Sequence, residues 1–572
     1  MIVLAAVVAV ATFLPENHRI YGSWWFTLLW FALALSGIWL ICLRRLWSKP
    51  LVCCLHLSLL VILVGAFVTS ISAKRGIIHL REGIPSDTFF STVEGKEGKL
   101  PCLVRLDSFE IIHYPGTEAP RDYVSHLTAQ GRQLKVSVNR VARLGHYRLY
   151  QTSYDDDLRG TLLSVNYDPW GTAITYTGYL GFLLTFLASL WRPLLRRRRG
   201  SALVLLLLLS ATAKAEGLPT ISKEKADSIG RTQIVWNNRA CPFATMSTAF
   251  LRKIYGRSSY RGLSATQVVV GWSEHPSEWD GAPLIKVKGH DYRSFIDFID
   301  TLSNPPRLRG VGRDSRTDEK VALVLMLRNG TLFEPLPEGA EPLSTTRVSL
   351  ELLYNRLPLT LIGIVLSILA AASSLLRSRR VYLALRLVLA VYLLGHFCLL
   401  WYLSGHIPLA NTNETLHFIA LCLVPWLPLG SAATLAVGLL IERNPQITPL
   451  VPVLNSPWLS AHVSCVMLSY ALLVVSFFRR TVLRYAVSLL AVGIFLGAVW
   501  ANVAWGAYWQ WDPKEAWALV TLLVYSVPIH QEILPWFRSD RNYRLYSLVA
   551  LAALLMTYFG VNYLLGGLHS YA

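Results

Sequence analysis

The sequence predicts a polytopic α-helical membrane protein of about 10–12 crossings, with two extracytoplasmic domains, the first β-rich and the second mixed α/β. Three observations predict it. Mean hydropathy is +0.42, and hydrophobic residues make up 53% of the 572 positions against 16% charged. The apolar residues gather into runs near the roughly 20 that a helix needs to cross a bilayer. Lys and Arg outnumber Asp and Glu by 54 to 35, yet they sit in short clusters between those runs, as in the inner loops of a multi-span protein. The net charge of +19 is therefore no nucleic-acid footprint, and a chain this apolar is not disordered. The 8 Cys contain no CxxC, which argues against a disulfide framework or a Cys-based metal or redox site.

Residues 1–72 hold a short run, 2–14, and two full ones, 23–42 and 51–72. Residues 73–170 are polar, and the segments LPCLVRLDSFEIIHY (100–114) and GHYRLYQTSY (145–154) lie between Gly, Pro and Asp turns. They predict a small β-rich domain tethered by a span at each end. Segment 171–213 has a run at 171–191, the cluster Arg196–Arg199, and a short run at 201–213 that closes on Ala211, Thr212, Ala213, Lys214 and Ala215. That order resembles a signal peptide; in mid-chain it marks a fusion joint whose run still crosses the membrane. In the second outer domain, 214–357, FATMSTAFLRKIYG (243–256) predicts a helix and VALVLML (321–327) a strand.

The membrane domain, 358–572, carries runs at 358–376, 381–404, 459–478, 485–504, 516–535 and 545–566. Alternating the spans puts the clusters Arg44/Arg45/Lys49, Arg192/Arg196–Arg199, Arg377/Arg379/Arg380, Arg479/Arg480/Arg484 and Arg538/Arg541/Arg544 on one side, which the positive-inside rule assigns to the cytoplasm. This requires an even number of crossings between 413 and 440. That stretch is too short for two full spans at 1.5 Å per residue. Pro425, Pro428 and Gly430 suit a re-entrant hairpin or two short, tilted helices.

Position separates the interesting members among the 14 His. His56 lies near the start of the 51–72 run and His530 near the end of the 516–535 run, which places both at similar depth on the inner side of the bilayer. An ionisable side chain inside a span is a functional candidate, although a neutral His bonded to its own helix explains either one alone. His462 opens the 459–478 run, and His569 follows the last span in GGLHSY (566–571); both belong at the outer surface. Between them lies WGAYWQWDPKEAW (505–517), with Trp505, Tyr508, Trp509, Trp511 and Trp517. An interfacial aromatic belt explains the rings but not the embedded Asp512, Pro513, Lys514 and Glu515. Asp512 before Pro513 predicts a helix N-cap with Pro in the first turn. An aromatic shelf flanked by imidazoles suits a large, flat, apolar ligand with a metal to coordinate, and haem fits.

WGAYWQWDPKEAW resembles the tryptophan-rich WWD motif of the haem-handling superfamily in cytochrome c biogenesis. LNSPWLSAHVS (454–464), the His530 span and GVNYLLGGLHSY (560–571) resemble the Ccs-type (System II) cytochrome c synthase. SFEIIHYPGTEAPRDYVSHL (108–127) and YRLYQTSYDDDLRGTLLSVNYDPWG (147–171) are similar to its ResB-like partner, so the chain resembles a fusion of the two. The resemblance implies a bacterial inner-membrane holocytochrome c synthase that exports haem b and attaches it to apocytochrome c. It implies His56 and His530 as an inner axial pair, and His462 and His569 as an outer catalytic pair holding haem against Trp505, Trp509, Trp511 and Asp512. The thiols of a CxxCH motif would add to the haem vinyl groups, an extracytoplasmic thiol reductant would keep them reduced, and membrane lipid would surround the spans. Asp512 and Glu515 would contact the docking peptide or merely cap the helix. Two other classes fit part of the pattern: a b-type bis-His electron-transfer cytochrome, and a haem exporter without attachment activity. His396, His406 and His417 receive no role.

Overall fold

Helices that are apolar all round have no wet face, and here their outward side chains suit lipid. The computed structural model describes residues 1–15, 17–92, 95–194, 218–287, 291–300, 307–308, 315–376, 378–442 and 446–565. The run at 201–213, Ala211–Ala215, Arg196–Arg199, Arg377 and His569 lie outside the described residues. The N-terminal part holds α1 (Ile2–Ala11), α2 (Asn17–Tyr21), α3 (Trp24–Leu43) and α4 (Pro50–Ser72). The Ser23 hydroxyl caps α3 by accepting from the Phe26 N–H, and α4 starts on Pro50, where the missing N–H is not needed. Trp24, Phe31, Leu35 and Trp39 of α3 are exposed. α5 (Gly171–Leu194) runs against α4 at close range. A Cβ on Gly178 would stand 2.9 Å from the Ser58 carbonyl, and one on Gly65 2.5 Å from the Thr175 nitrogen. Small residues let two membrane helices approach this closely.

Between α4 and α5 the chain forms β1 (Lys74–Arg81), β2 (Pro85–Ser91), β3 (Glu97–His113), β4 (Pro120–Ala129), β5 (Arg132–Ser137), β6 (Ala142–Leu144), β7 (Tyr147–Tyr154) and β8 (Gly160–Tyr167). These make one antiparallel sheet, in the order β5-β4-β3-β2-β1-β8-β7-β6. The two end strands of that order, β5 and β6, are joined by the tight turn at Ser137–Arg140, and the sheet curls around Ile78, Val104, Leu106, Leu127 and Leu149. Most of the two β-like segments read from sequence lies in β3 and β7.

The second outer domain has α6 (Lys223–Gly230), β9 (Gln233–Trp236), β10 (Arg239–Pro242), α7 (Phe243–Ile254), α8 (Ala265–Glu274), α9 (Pro276–Trp279) and α10 (Ser315–Arg328). The helix expected at 243–256 is α7. The strand expected at 321–327 is overturned: those residues belong to α10. Val321, Val324 and Leu327 are the buried positions, a helical spacing, and a short apolar run does not distinguish the two states by itself. Arg239 bridges this domain to the membrane part. Its guanidinium meets the fully buried Glu351 carboxylate at 2.5 and 3.1 Å and donates to the Ile447 carbonyl at 2.9 Å. Removing one partner of a buried pair strands the other charge. Glu351→Ala should therefore destabilise the protein by about 3–5 kcal/mol, read as a lower thermal midpoint in detergent.

α11 (Thr345–Arg356) and α12 (Leu359–Ala372) meet at a 61° bend beside Pro358. α13 (Arg379–Ser404), α14 (Thr412–Leu423), α15 (Pro428–Ile441), α16 (Pro457–Phe478), α17 (Leu483–Ala504), α18 (Pro513–Ser526), α19 (Asp540–Leu555) and α20 (Val561–Leu564) follow. α14 and α15 are the two short helices allowed for 413–440. α18 runs on through a 3₁₀ turn to His530 and ends before residue 535, because Pro528 and Pro535 interrupt the ladder. A π-helical turn, Met556–Gly560, joins α19 to α20. Among the described residues, 7 helices are long and apolar enough to cross a membrane, or 8 with the bent pair as one span. α1, α14, α15 and α18 are shorter. The architecture is the polytopic helical membrane protein with a β-rich domain that the sequence predicts.

Candidate functional site

α3, α4, α17 and α18 leave between them a groove of about 3250 Å³. Its walls are largely apolar, with Phe31, Trp39, Leu59, Phe67, Phe495 and Leu519 among them. At the end away from the β domain it is lined by His56, His530, Lys49, Arg480 and Arg484. At the β-domain end it is lined by Arg75, Tyr508, Trp509 and Trp511.

The ring centroids of His56 and His530 are 6.3 Å apart with planes at 80°. Each Nδ1 lies one helical turn from a backbone carbonyl: Val52 at 2.8 Å for His56 and Ser526 at 3.0 Å for His530. A carbonyl only accepts, so each Nδ1 carries the proton and donates, which leaves Nε2 as the lone-pair nitrogen. That is the tautomer a metal-ligating His takes, with its other ring N–H fixed by an acceptor. Two metal–nitrogen bonds of about 2 Å, plus the distance from each nitrogen to its ring centre, fill the separation observed. The donor set therefore fits an axial pair for a haem iron.

The 505–517 segment is built around α18. Asp512 caps the helix by accepting from the Lys514 N–H at 3.1 Å, and Glu515 completes a capping box by accepting from the N–H groups of Asp512 and Gln510 at 3.3 and 2.8 Å. The Asp512 carboxylate is buried in this role. Trp511 has a left-handed backbone (φ 59°). Its ring stacks on Tyr21 at 4.4 Å and meets the edge of Phe26 at 5.2 Å, so α2 and α3 clamp it at the groove. Trp509 also lines the groove, and its indole N–H is buried with no hydrogen-bond partner among the described residues. Trp505 packs against Trp500 instead, and Trp517 donates to Thr12, which follows α1.

The β domain reaches this segment directly. Gly506 has φ +80° and lies under the Tyr150 ring, 2.6 Å from where a Cβ would sit; its carbonyl accepts from Asn166. Tyr508 donates to Thr69 at 2.8 Å, and Thr69 in turn donates to Asp168. Neither Gly506 nor this Tyr–Thr–Asp chain stands out in the sequence, because its members come from segments far apart in the chain.

His462 stands on α16 against α17. Its Nδ1 donates to the Gly493 carbonyl at 2.7 Å, and a Cβ on Gly497 would come within 2.6 Å of its ring. It does not line the groove, so the structure brings together His56 with His530, and Trp509 with Trp511, while His462 occupies a separate position behind α17. Of the histidines without an expected role, His396 and His417 touch each other at 4.9 Å, and His396 Nδ1 has no hydrogen-bond partner among the described residues. Cys241 is wholly buried, and burial pushes its thiol up to about 12. It should stay unmodified by iodoacetamide at pH 8 until the protein is unfolded, as read by peptide mass spectrometry.

Two family models match the chain. "ResB-like family" covers residues 44–177 and "Cytochrome C assembly protein" covers 385–483 and 477–569. The chain is similar to "Protein NrfI" of Wolinella succinogenes, at 30% identity over 83% of this chain and 72% of that protein. Its C-terminal part is similar to "Cytochrome c biogenesis protein CcsA" of Synechococcus sp. (strain CC9902), at 34% identity over 32% of this chain and 86% of that protein. The protein of the same name from Chlamydomonas reinhardtii matches at 33% over 30% of this chain and 62% of its own length.

Proposed function

The chain belongs to the System II cytochrome c biogenesis family in its fused ResB–CcsA form, and on that premise we propose that it carries haem across the membrane and attaches it to apocytochrome c. Haem b is the cargo. His56 and His530 hold its iron at the end of the groove away from the β domain, which is the cytoplasmic end by the positive-inside rule. The groove walls shield the macrocycle on its way to the WWD segment, where Trp509 and Trp511 offer aromatic faces; attachment then takes it past α17 to His462, which with His569 supplies the outer ligands. The observation that carries this reading is the single groove joining an imidazole pair, both in the ligand tautomer, to the WWD segment.

At the outer end the substrate brings its own nucleophiles. Each CxxCH thiol adds across a vinyl C=C: an S–C bond forms, the thiol proton ends on the neighbouring carbon, and no net oxidation occurs. The chain positions the reactants and keeps water out. The substrate's Cys pair must arrive reduced. Cys102 and Cys241 lie in separate outer domains and form no dithiol, and so an external dithiol reductant is required on the same side. On this reading the protein sits in the bacterial inner membrane with its β domain in the periplasm.

The test is co-expression with a CxxCH reporter, followed by haem staining after denaturing electrophoresis. Covalently stained reporter supports the synthase reading. Haem that co-purifies and redox-cycles in the membrane protein, with the reporter unstained, would assign it to electron transfer or to export alone.

A further inference from the structure

Arg75 is the second residue of β1, just after α4. In the structure it is partly buried and lines the groove at the end formed by Tyr508, Trp509 and Trp511. Among the described residues its guanidinium donates no hydrogen bond and forms no ion pair. The carboxylates whose field it feels, Asp168 and Glu515, are engaged elsewhere. Asp168 accepts from Thr69, Thr172 and the Gly171 N–H at 2.8, 2.7 and 2.9 Å. Glu515 accepts from the N–H groups of Gln510 and Asp512 in the helix cap. A guanidinium has five donors and no acceptor, and withdrawing it from water unpaired is unfavourable. Burial accordingly lowers the pKa of Arg75. Trp509, at the same end of the groove, holds a second donor with no acceptor in its indole N–H. Both donors lack an acceptor among the described residues.

The groove limits what such an acceptor can belong to. Its walls are apolar over most of their length, and its far end presents two imidazoles suited to a metal. The missing acceptor therefore sits on an otherwise apolar, metal-bearing body. A planar guanidinium fork matches a carboxylate in bidentate fashion. We propose that Arg75 anchors a carboxylate side chain of a porphyrin dicarboxylate as the macrocycle arrives beneath Trp509. The proposal rests on the haem reading above and adds to it a positioning residue that fixes which edge of the porphyrin faces the β domain.

The test uses the full chain in detergent carrying His56→Ala and His530→Ala, so that porphyrin bound there reports the WWD end. Zinc protoporphyrin IX and its dimethyl ester are titrated by fluorescence into this parent, into Arg75→Gln and into Arg75→Lys. The parent should prefer the free acid by about tenfold or more. Arg75→Gln should bring that ratio near one by weakening the acid alone, and Arg75→Lys should keep part of it. The unchanged ester affinity shows that the variant is folded; if Gln loses both ligands, the Lys variant decides. An undiminished ratio in Arg75→Gln overturns the proposal. Equal affinity of the parent for acid and ester also overturns it while leaving the haem reading intact. Failure of wild type and parent to bind either porphyrin overturns both. Phosphatidylglycerol seen by native mass spectrometry on the parent but not on Arg75→Gln, with the porphyrin ratio unchanged, would assign Arg75 to lipid instead.

Discussion

His530→Ala should strip the purified protein of haem held at the inner pair and stop covalent attachment, with haem content down by at least about tenfold. The argument rests on the tautomer. Ser526 fixes the His530 ring through Nδ1, as Val52 fixes His56, so the neutral ring keeps its lone pair on Nε2 and its orientation is set before a metal arrives. Losing one ring would remove one of the two ligands the protein supplies. Pyridine haemochrome quantification on wild type, His530→Ala and His56→Ala measures the loss, and added imidazole should restore part of it by replacing the missing ligand. Unchanged haem content in both variants would sink the inner pair as a haem site.

Gly497→Ala should reproduce His462→Ala although Gly497 supplies no ligand of its own. The new methyl group would stand 2.6 Å from the His462 ring, well inside contact distance, while the Gly493 carbonyl holds that ring through Nδ1 at 2.7 Å. The imidazole must swing away or α16 must move off α17. Displacing the support of a ligating His lowers metal affinity by about 10–100-fold. Holocytochrome yield should fall by a similar factor while haem at His56/His530 is retained. Normal yield with Gly497→Ala would mean that His462 is not held where the chemistry needs it.

The parts of the molecule legible in the sequence were those written locally. The spans are visible because about 20 apolar residues have few other uses, and the cap at Asp512 is visible because Asp-Pro before a helix has one common geometry. His56 and His530 could be paired by depth alone, since their distance along the chain is irrelevant to two helices crossing the same bilayer. What failed or stayed hidden depends on contacts between distant segments. VALVLML carries no period of its own, and only the core of the second outer domain selects the helical face of Val321, Val324 and Leu327. Nothing near Trp511 announces that Tyr21 and Phe26 will clamp its ring. Nothing beside Arg75 shows that Asp168 and Glu515 are engaged by other donors. Nothing in the 505–517 segment itself shows that Trp505 packs against Trp500 while Trp509 and Trp511 line the groove.

The π-helical turn at Met556–Gly560 has a consequence for the chain that follows it. Such a turn holds one residue more than an α-helical turn, and each residue in an α-helix advances about 100° around the axis. The wide turn therefore sets the phase of α20 against α19. Thr557 is locked within it, bonded to Thr521 at 2.6 Å and to the Trp517 carbonyl at 3.0 Å. A single-residue deletion there would leave α20 chemically intact yet turn it by about 100° around its axis. The stretch is constrained in its length as well as at Thr557.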